Sequence, residues 1–329
     1  FWVLILGEIT MESNIVYHYC SVETFLNIIR NHTLRLSDLC SSNDKAEMKV
    51  LLGDLENEIL NQYRKQDDSL ETVIYGMDVD ESFELILKRV ISKMDNNINQ
   101  MLFGICFSEK GDLLGQWREY ADKGTGIAIG FNLEWLQKLG NNDSFKFSKV
   151  NYEYSKDSTL IKEHAFHIYC EIIRAMENGE TKKLIDESRY LPYMISLQKE
   201  CLFFESVFQK GKEYKNEEEW RLILDDEETR KDYPEWNIYY NWKNKDFKFG
   251  EKEIYSLIPN GMEFMVKSGR IIPYLDLKFD VDKNNLPIEE VITGPNCKVN
   301  ILDIYHLLQF YGFDGDKIEI KKSQSSYRI

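Results

Sequence analysis

The alternation of apolar and polar positions near the start of the chain predicts a strand, a helix and a second strand. Residues 15–20 alternate as a short strand, and residues 33–37 repeat this pattern. Between them, apolar residues recur at helical spacing behind Ser21, a residue type that caps the start of helices. These apolar residues are Val22, Phe25, Leu26 and Ile29.

Further along, the pattern predicts helices in the middle of the chain and strands towards its end. Helical spacing covers about 46–64 and 80–99, and 157–208 is predicted to be largely helical. An apolar run predicts a buried strand within 101–110, followed by a short helix around Leu113–Ala121 and a strand over 126–131. The later strands are predicted at 219–224, 236–242, 269–279 and 317–322, with a helix from about 299 to 311.

Strands at both ends and helices between them predict an α+β fold. We expect a single domain over 11–329, with a helical insertion on one side at about 155–210. Residues 1–10 precede Met11 and are interpreted as a possible upstream or non-native extension without functional weight.

Composition and charge narrow the classes of function. A formal net charge of -15 disfavours a general nucleic-acid or anionic-membrane surface, because both need a cationic footprint. Six cysteines without any CxxC pair are typical of a reducing cytoplasm, where we expect the protein to act. No apolar run approaches the about 20 residues of a membrane-spanning helix.

A histidine at the end of the first strand is the first candidate for chemistry. His18 stands between Tyr17 and Tyr19, whose side chains are expected on the opposite face of the strand. A histidine in this position can present one ring nitrogen to a ribose hydroxyl while the backbone fixes the other. A hydrogen-bonded structural histidine is the alternative interpretation.

Two further segments place polar groups where a ligand can bind. The loop LSDLCSSNDKAE contains Ser37, Asn43 and Asp44, and either of the last two is suited to cap the next helix while the loop covers a ligand. Ser108 ends an otherwise apolar strand, and Tyr120 on the following helix is suited to stack on a flat ligand or to pack in the core.

The fourth candidate is the start of the strand EWRLIL. Glu219 and Arg221 are two residues apart and therefore share a face of that strand. A carboxylate beside an arginine keeps a low pKa, which suits charge stabilisation rather than proton donation.

Taken in order, these motifs identify a resemblance. YHYCS, LSD…NDKAE, FSEK…WREYADKGTGIAIGF, EEEWRL, ITGP and SQSSYR resemble a widespread bacterial domain of unknown function from about residue 15 to 329. Its pattern is YHYTS, ND-x-x-E, FSE with W-x-x-YA and GF, E-x-EWR and S-x-x-x-YR. That family is in turn similar to the ADP-ribosyltransferase superfamily, most closely to DNA-modifying toxins and RNA 2′-phosphotransferases.

The resemblance implies a split two-sheet, mainly antiparallel core and roles for individual residues. His18 would hold a ribose of NAD, Glu219 would be the catalytic glutamate, and Ser108 or Tyr120 would lie near the nicotinamide. The ND-x-x-E loop would cover the nicotinamide. NAD-binding roles would fall to Tyr17, Tyr19, Ser37, Asn43, Asp44, Ser108, Tyr120 and Arg221.

Two departures from the superfamily leave the acceptor of ADP-ribose open. No residue clearly matches the tyrosine of its His-Tyr-Glu pattern. Glu217 and Glu219 form the Glu-x-Glu of arginine-modifying transferases, yet those carry arginine rather than histidine in the first strand.

The expected function is therefore NAD-dependent ADP-ribosyl transfer or NAD hydrolysis, by an intracellular toxin or phage-defence effector. Cleaving the nicotinamide–ribose bond builds positive charge on the anomeric carbon, and a fixed carboxylate stabilises it. The expected partners are NAD, a protein or nucleic-acid acceptor, and an antitoxin or defence-system partner, without a metal or a membrane.

Two alternatives remain open. The same cleft would serve a catalytically inactive nucleotide-sensing or partner-binding module equally well. A metal-dependent nuclease is the third possibility, suggested by Asp316 and by the acidic Glu319-Ile-Lys321 run on a predicted strand.

Overall fold

The computed structural model shows a mixed α/β protein built on a mainly antiparallel open sheet. It describes residues 14–39, 45–67, 79–98, 102–140, 144–152, 159–179, 207–224, 257–267, 269–281 and 286–327. Residues 1–10 and the segment 236–242, for which a strand was predicted, lie outside these ranges.

Within the described ranges, ten strands belong to the sheet. They are β1 (Ile15–Cys20), β2 (Thr33–Asp38), β3 (Phe103–Ser108), β4 (Ile127–Asn132), β5 (Phe145–Lys149), β6 (Glu219–Leu224), β7 (Met262–Lys267), β8 (Arg270–Lys278), β9 (Ile288–Thr293) and β10 (Glu319–Lys322). All pairs of neighbouring strands that the structure describes are antiparallel, except β9 and β10, which are parallel.

The described α-helices lie between these strands. They are α1 (Val22–Asn31), α2 (Lys45–Asp67), α3 (Val79–Ile98), α4 (Leu114–Glu119), α5 (Leu133–Gly140), α6 (Thr159–Glu177) and α7 (Ile301–Phe310). None of them combines the length and the apolarity that a membrane crossing requires.

The sheet branches at β3, which has three neighbours. Its residues from Gly104 to Ser108 pair with β6, and β6 pairs in turn with β5. Its other edge pairs with β2 at Gly104 and with β1 at Ser108. Two arms therefore diverge from that edge: β1–β4–β9–β10 and β2–β8–β7.

One face of the sheet carries the main hydrophobic core. Apolar side chains of both arms, such as Val16, Leu34 and Ile129, pack there with residues of α1, α5 and α7. Burial of such side chains typically contributes about 1.5–3 kcal/mol each. This core holds the two arms together although their strands separate.

A second core joins α2, α3 and α6 into a helical bundle. It contains Leu55, Phe83 and Ile168, which are almost completely buried, and the rings of Tyr63 and Phe83 stack at 3.9 Å. Helix α6 lies within the predicted insertion at 155–210. The patterns at 46–64 and 80–99 correspond to α2 and α3.

Most predicted elements are present, and the ones missed are short. Strands β1, β2, β3, β4, β6, β8 and β10 and helices α1, α4 and α7 lie where the patterns predict them. The prediction omitted α5, β5, β7 and β9. In β5, Phe145 and Phe147 alternate with Lys146 and Ser148, but five residues provide too little periodicity to stand out.

Candidate functional site

The branch point of the sheet contains the first candidate residue. The N–H of Glu109, directly after β3, donates to the carbonyl of Glu218, directly before β6. Because the backbone groups of a strand alternate between its two edges, every second residue of β3 directs its N–H and carbonyl towards β6. The backbone N–H and carbonyl of Cys106 consequently point to the other edge of β3. Cys106 lies there between the residues of β3 that pair with β1 and with β2.

His18 occupies this position. Its Nδ1 lies 3.1 Å from the carbonyl oxygen of Cys106, and its ring meets the edge of the Phe107 ring at 6.0 Å. The imidazole therefore satisfies a backbone carbonyl where the two arms separate. One ring nitrogen is fixed by backbone, as the sequence predicted.

A row of polar residues crosses the opposite face of the sheet. Directly paired residues on neighbouring strands share a face, and the pairs connect Glu290, Gly130, Tyr17, Ser108 and Glu219 in one line. Three of the predicted site residues thus lie side by side although the chain separates them widely.

Gly130 has a packing reason to lack a side chain. A Cβ atom there would lie 2.9 Å from the Cβ of Glu290 and 3.1 Å from Cε1 of Tyr17. The space left by the absent side chain of Gly130 lets the Tyr17 hydroxyl donate to Glu290 Oε2 at 2.8 Å. Lys321 from β10 also forms an ion pair with Glu290.

At the other end of the row, Glu219 is enclosed by cations. Arg221 donates from Nε to Oε1 at 2.8 Å and from Nη2 to Oε2 at 3.1 Å. Lys210 Nζ contacts Oε2 at 3.2 Å and Glu217 at 2.7 Å. The Glu219 side chain is only 7% exposed, and two carboxylates and two cations balance each other.

This enclosure determines the ionisation of Glu219. Burial alone would raise the pKa of the carboxyl, but the charge and hydrogen bonds of Arg221, together with Lys210, lower it to about 2. The predicted ion pair is therefore present, and the carboxylate is ionised at neutral pH. The same cations occupy both of its oxygens.

The hydroxyl groups of Ser108 and Tyr19, on the same face as the row, are also engaged within the protein. Ser108 donates to the carbonyl of Glu217 at 2.7 Å and accepts from the N–H of Lys110 at 3.2 Å. Tyr19 donates to the carbonyl of Lys110 at 2.6 Å and accepts from Leu113. Burial raises the pKa of both Tyr17 and Tyr19, so these phenols remain neutral.

The other predicted cofactor-binding residues are scattered. Tyr120 ends α4 and is 53% exposed, so it does not pack in the core. Ser37 is half-buried on β2, on the same face as Cys106 but beyond the branch point. Asn43 and Asp44 lie outside the described residues.

The roles on NAD that the resemblance implies for His18 and Glu219 would bring both side chains to one ligand, but the two side chains lie on opposite faces of the sheet. Tyr17 pairs with Ser108, and Ser108 with Glu219, so these three share a face. His18 follows Tyr17 in the strand and projects from the other face, towards Phe107. Strands β1 and β6 pair with the two edges of β3, but alternation along β1 places the side chains of His18 and Glu219 on opposite faces of the sheet.

Three residues that support the site were not identified from the sequence. Lys210 reaches Glu219 from a segment without a recognisable pattern, and Glu290 adds a second buried carboxylate. Asp112 accepts from Trp117 Nε1 at 2.6 Å and from the backbone of Gln324, which ties the C-terminal segment to the loop after β3. Of the three, Glu290 left a signal, because it stands inside an apolar strand.

A nuclease-type metal centre gains no support from the described geometry. Within the described ranges, no three His, Cys, Asp or Glu side chains are grouped to hold a metal ion. Lys321 of the Glu-Ile-Lys run pairs with Glu290, and the Asp316 carboxylate accepts from the Tyr305 hydroxyl at 3.0 Å.

Comparison with known proteins confirms the predicted family over part of the chain. Neither the curated proteins nor the solved structures contain a match. A family model does match, over a segment that runs from within α4 to within β6. Residues 116–222 are similar to the family described as "Protein of unknown function (DUF2971)", a domain of unknown function as the motifs predicted.

Proposed function

We propose that the chain is a nucleotide-binding module that holds NAD, or a part of it, without cleaving it, and that it serves a toxin or phage-defence system. The enclosed state of Glu219 carries this proposal. Stabilising an oxocarbenium ion requires a carboxylate oxygen that can touch the ribose, and both oxygens of Glu219 are bound by Arg221 and Lys210.

The nucleotide is suggested by the resemblance to ADP-ribosyltransferases and by the branched sheet. The divergence lies beside β3, with the His18 imidazole at its edge. A module with this arrangement and without an accessible carboxylate would bind the dinucleotide and report its presence to a partner.

The test combines binding with turnover. Thermal unfolding would be followed with NAD, ADP-ribose and nicotinamide, and nicotinamide release from NAD would be assayed with the same preparation. We expect NAD or ADP-ribose to raise the melting temperature without release of nicotinamide. The absence of any shift with all three ligands would exclude the module.

The second candidate is NAD cleavage on an ADP-ribosyltransferase-like fold, favoured by the low pKa of Glu219. In this reaction the bond between the anomeric carbon and nicotinamide breaks, and nicotinamide leaves as a neutral base with the bonding electrons. Water or an acceptor nucleophile then bonds to that carbon and loses a proton. Lys210 would first have to withdraw from Oε2.

Glu219→Gln distinguishes this candidate. If Glu219 stabilises the cation, the variant should lose NAD consumption, by a factor of about 10²–10³ for a well-placed electrostatic group. Melting curves at the assay temperature would establish that the variant is folded. Turnover equal to that of the wild type would remove Glu219 from the mechanism, and Glu109→Gln provides a control carboxylate outside the row.

A further inference from the structure

Strand β7 lies at one end of the described strand order, where β8 is its single described neighbour. Both strands extend beyond β2, because the pairing of β8 with β2 ends at Tyr274, whereas its pairing with β7 continues to Arg270. Residues 264–267 and 270–273 therefore form a hairpin that projects beyond β2. Two strands alone are at best marginally stable in water, so a further strand at this edge would stabilise the hairpin.

The projecting hairpin exposes apolar side chains to solvent. Phe264, Val266 and Ile271 are 53%, 78% and 73% exposed. They share a face, because Val266 pairs directly with Ile271, and Phe264 precedes Val266 by two residues. Single exposed apolar residues are common, but three neighbours beside the edge of a sheet indicate a surface that another strand covers.

The backbone groups of β7 alternate between its two edges. The N–H of Phe279, directly after β8, donates to the carbonyl of His32, directly before β2. Odd-numbered residues of β8 therefore direct their backbone groups to β2, and even-numbered ones to β7. The residues of β7 opposite the even-numbered ones are Glu263, Met265 and Lys267. The N–H and carbonyl groups of Phe264 and Val266 consequently point to the outer edge, with which no described strand pairs.

The sequence of β7 is complementary to an antiparallel copy of itself. In a two-fold arrangement centred on Met265, Phe264 lies opposite Val266 of the second copy, and Glu263 lies opposite Lys267. Apolar residues thus meet apolar residues, and a carboxylate meets an ammonium group. The outward backbone groups of Phe264 and Val266 then form the hydrogen-bonded pairs, while Met265 lies on the axis in a non-hydrogen-bonded pair.

We propose that β7 is the interface of a symmetric dimer, in which the outer edges of two β7 strands pair and join the two sheets. A two-fold axis requires one surface to match itself, and residues 263–267 do so in both charge and apolarity. This match favours a second copy of the chain over an unrelated peptide. The interface is independent of the proposed nucleotide binding, so the failure of either leaves the other standing.

Sedimentation velocity of the full chain tests the dimer. We expect a species of twice the 39.0 kDa of one chain, which dissociates on dilution. A wild-type protein that keeps the mass of one chain up to its highest soluble concentration would overturn the proposal.

Val266→Lys and Ile271→Lys are matched variants, because the two residues pair directly and both are largely exposed. A lysine on an edge strand opposes pairing with another strand, so Val266→Lys should lose the dimer. Ile271 lies on β8, one strand inside the edge, so Ile271→Lys should remain dimeric. Equal melting temperatures would establish that both variants are folded.

Two results would contradict edge pairing. Persistence of the dimer in Val266→Lys would place the interface elsewhere on the molecule. Loss of the dimer in both variants would mean that the apolar face, rather than the edge of β7, holds the two copies together.

Met265→Cys tests the register. Residues opposite each other in a non-hydrogen-bonded pair have Cα atoms about 4.5 Å apart, within the range of a disulfide bond. Mild oxidation should therefore convert this variant to a covalent dimer, whereas the wild type and Ile271→Cys should stay non-covalent. A dimer that Met265→Cys fails to cross-link would overturn the arrangement centred on Met265.

Discussion

At the scale of single residues, Glu219 shows how burial and charge pairing together fix a protonation state. Desolvation favours the neutral acid, but Arg221 and Lys210 stabilise the anion more strongly, so the pKa falls from 4.5 to about 2. Removing one partner of such a pair leaves buried charge uncompensated, which is far more costly than removing a surface pair.

The pairing predicts how stability depends on pH. Because the folded-state pKa lies below the ordinary value, the stabilisation is fully present above pH 4.5 and is lost as the pH falls towards about 2. Glu219→Gln should lower the free energy of unfolding by about 3 kcal/mol at pH 7, and this difference should shrink below pH 4. Urea unfolding at both pH values measures it.

A surface pair supplies the control for this prediction. Glu171 forms an ion pair with Arg174 on α6, and the Arg174 side chain is 63% exposed. Glu171→Gln should change the free energy of unfolding at pH 7 by less than about 0.5 kcal/mol. Equal effects of the two substitutions would mean that Glu219 contributes nothing beyond a surface charge.

At the scale of elements, the first helix illustrates how far local chemistry sets a boundary. The Ser21 hydroxyl accepts the N–H of Thr24 at 3.0 Å, as expected of an N-cap, and the helix buries Phe25, Ile28 and Ile29. It connects β1 to β2, the first strands of the two diverging arms. A change at this cap therefore acts where both arms meet the core.

Ser21→Ala should lower the free energy of unfolding by about 1 kcal/mol, because the first turn of α1 loses the acceptor for one backbone N–H. Chemical denaturation of the two proteins measures the difference. Ser21→Asn retains a capping oxygen and should remain within about 0.5 kcal/mol of the wild type. If alanine and asparagine are equivalent, the cap does not contribute to stability.

At the scale of the whole molecule, the two largest hydrophobic cores of the described residues are separate from each other. One lies on a face of the sheet and includes Ile129, and the other joins α2, α3 and α6 around Ile168. Both isoleucines are fully buried. Separate cores allow the bundle and the sheet to open independently.

Ile168→Ala should destabilise the bundle by about 2–5 kcal/mol through the cavity that it leaves. Hydrogen exchange followed by mass spectrometry should then accelerate in α2, α3 and α6 while β1 and β4 remain protected. Ile129→Ala should accelerate exchange in β1 and β4. Uniform acceleration throughout the chain in both variants would mean that the two cores unfold as one cooperative unit.

Local sequence patterns predicted where strands and helices form better than they predicted which strands pair with each other. Strand β6 and the shared face of Glu219 and Arg221 followed from alternation within six residues. The pairing of β3 with three strands has no local signal, because long-range pairing depends on which surfaces pack together. Lys210 was missed for the same reason, since its contact with Glu219 arises from the course of the chain around β6.

The sequence by itself determined most of the strands and helices, the Ser21 cap, the Glu219–Arg221 pair and the similarity to a domain of unknown function over residues 116–222, because each depends on nearby residues or on an ordered series of motifs. Only the tertiary structure decided that the sheet branches at β3, that Lys210 closes over Glu219, and that His18 projects from the opposite face. Strand register sets these relations. A side chain's face is fixed within its own strand, but its neighbours come from pairing between distant segments.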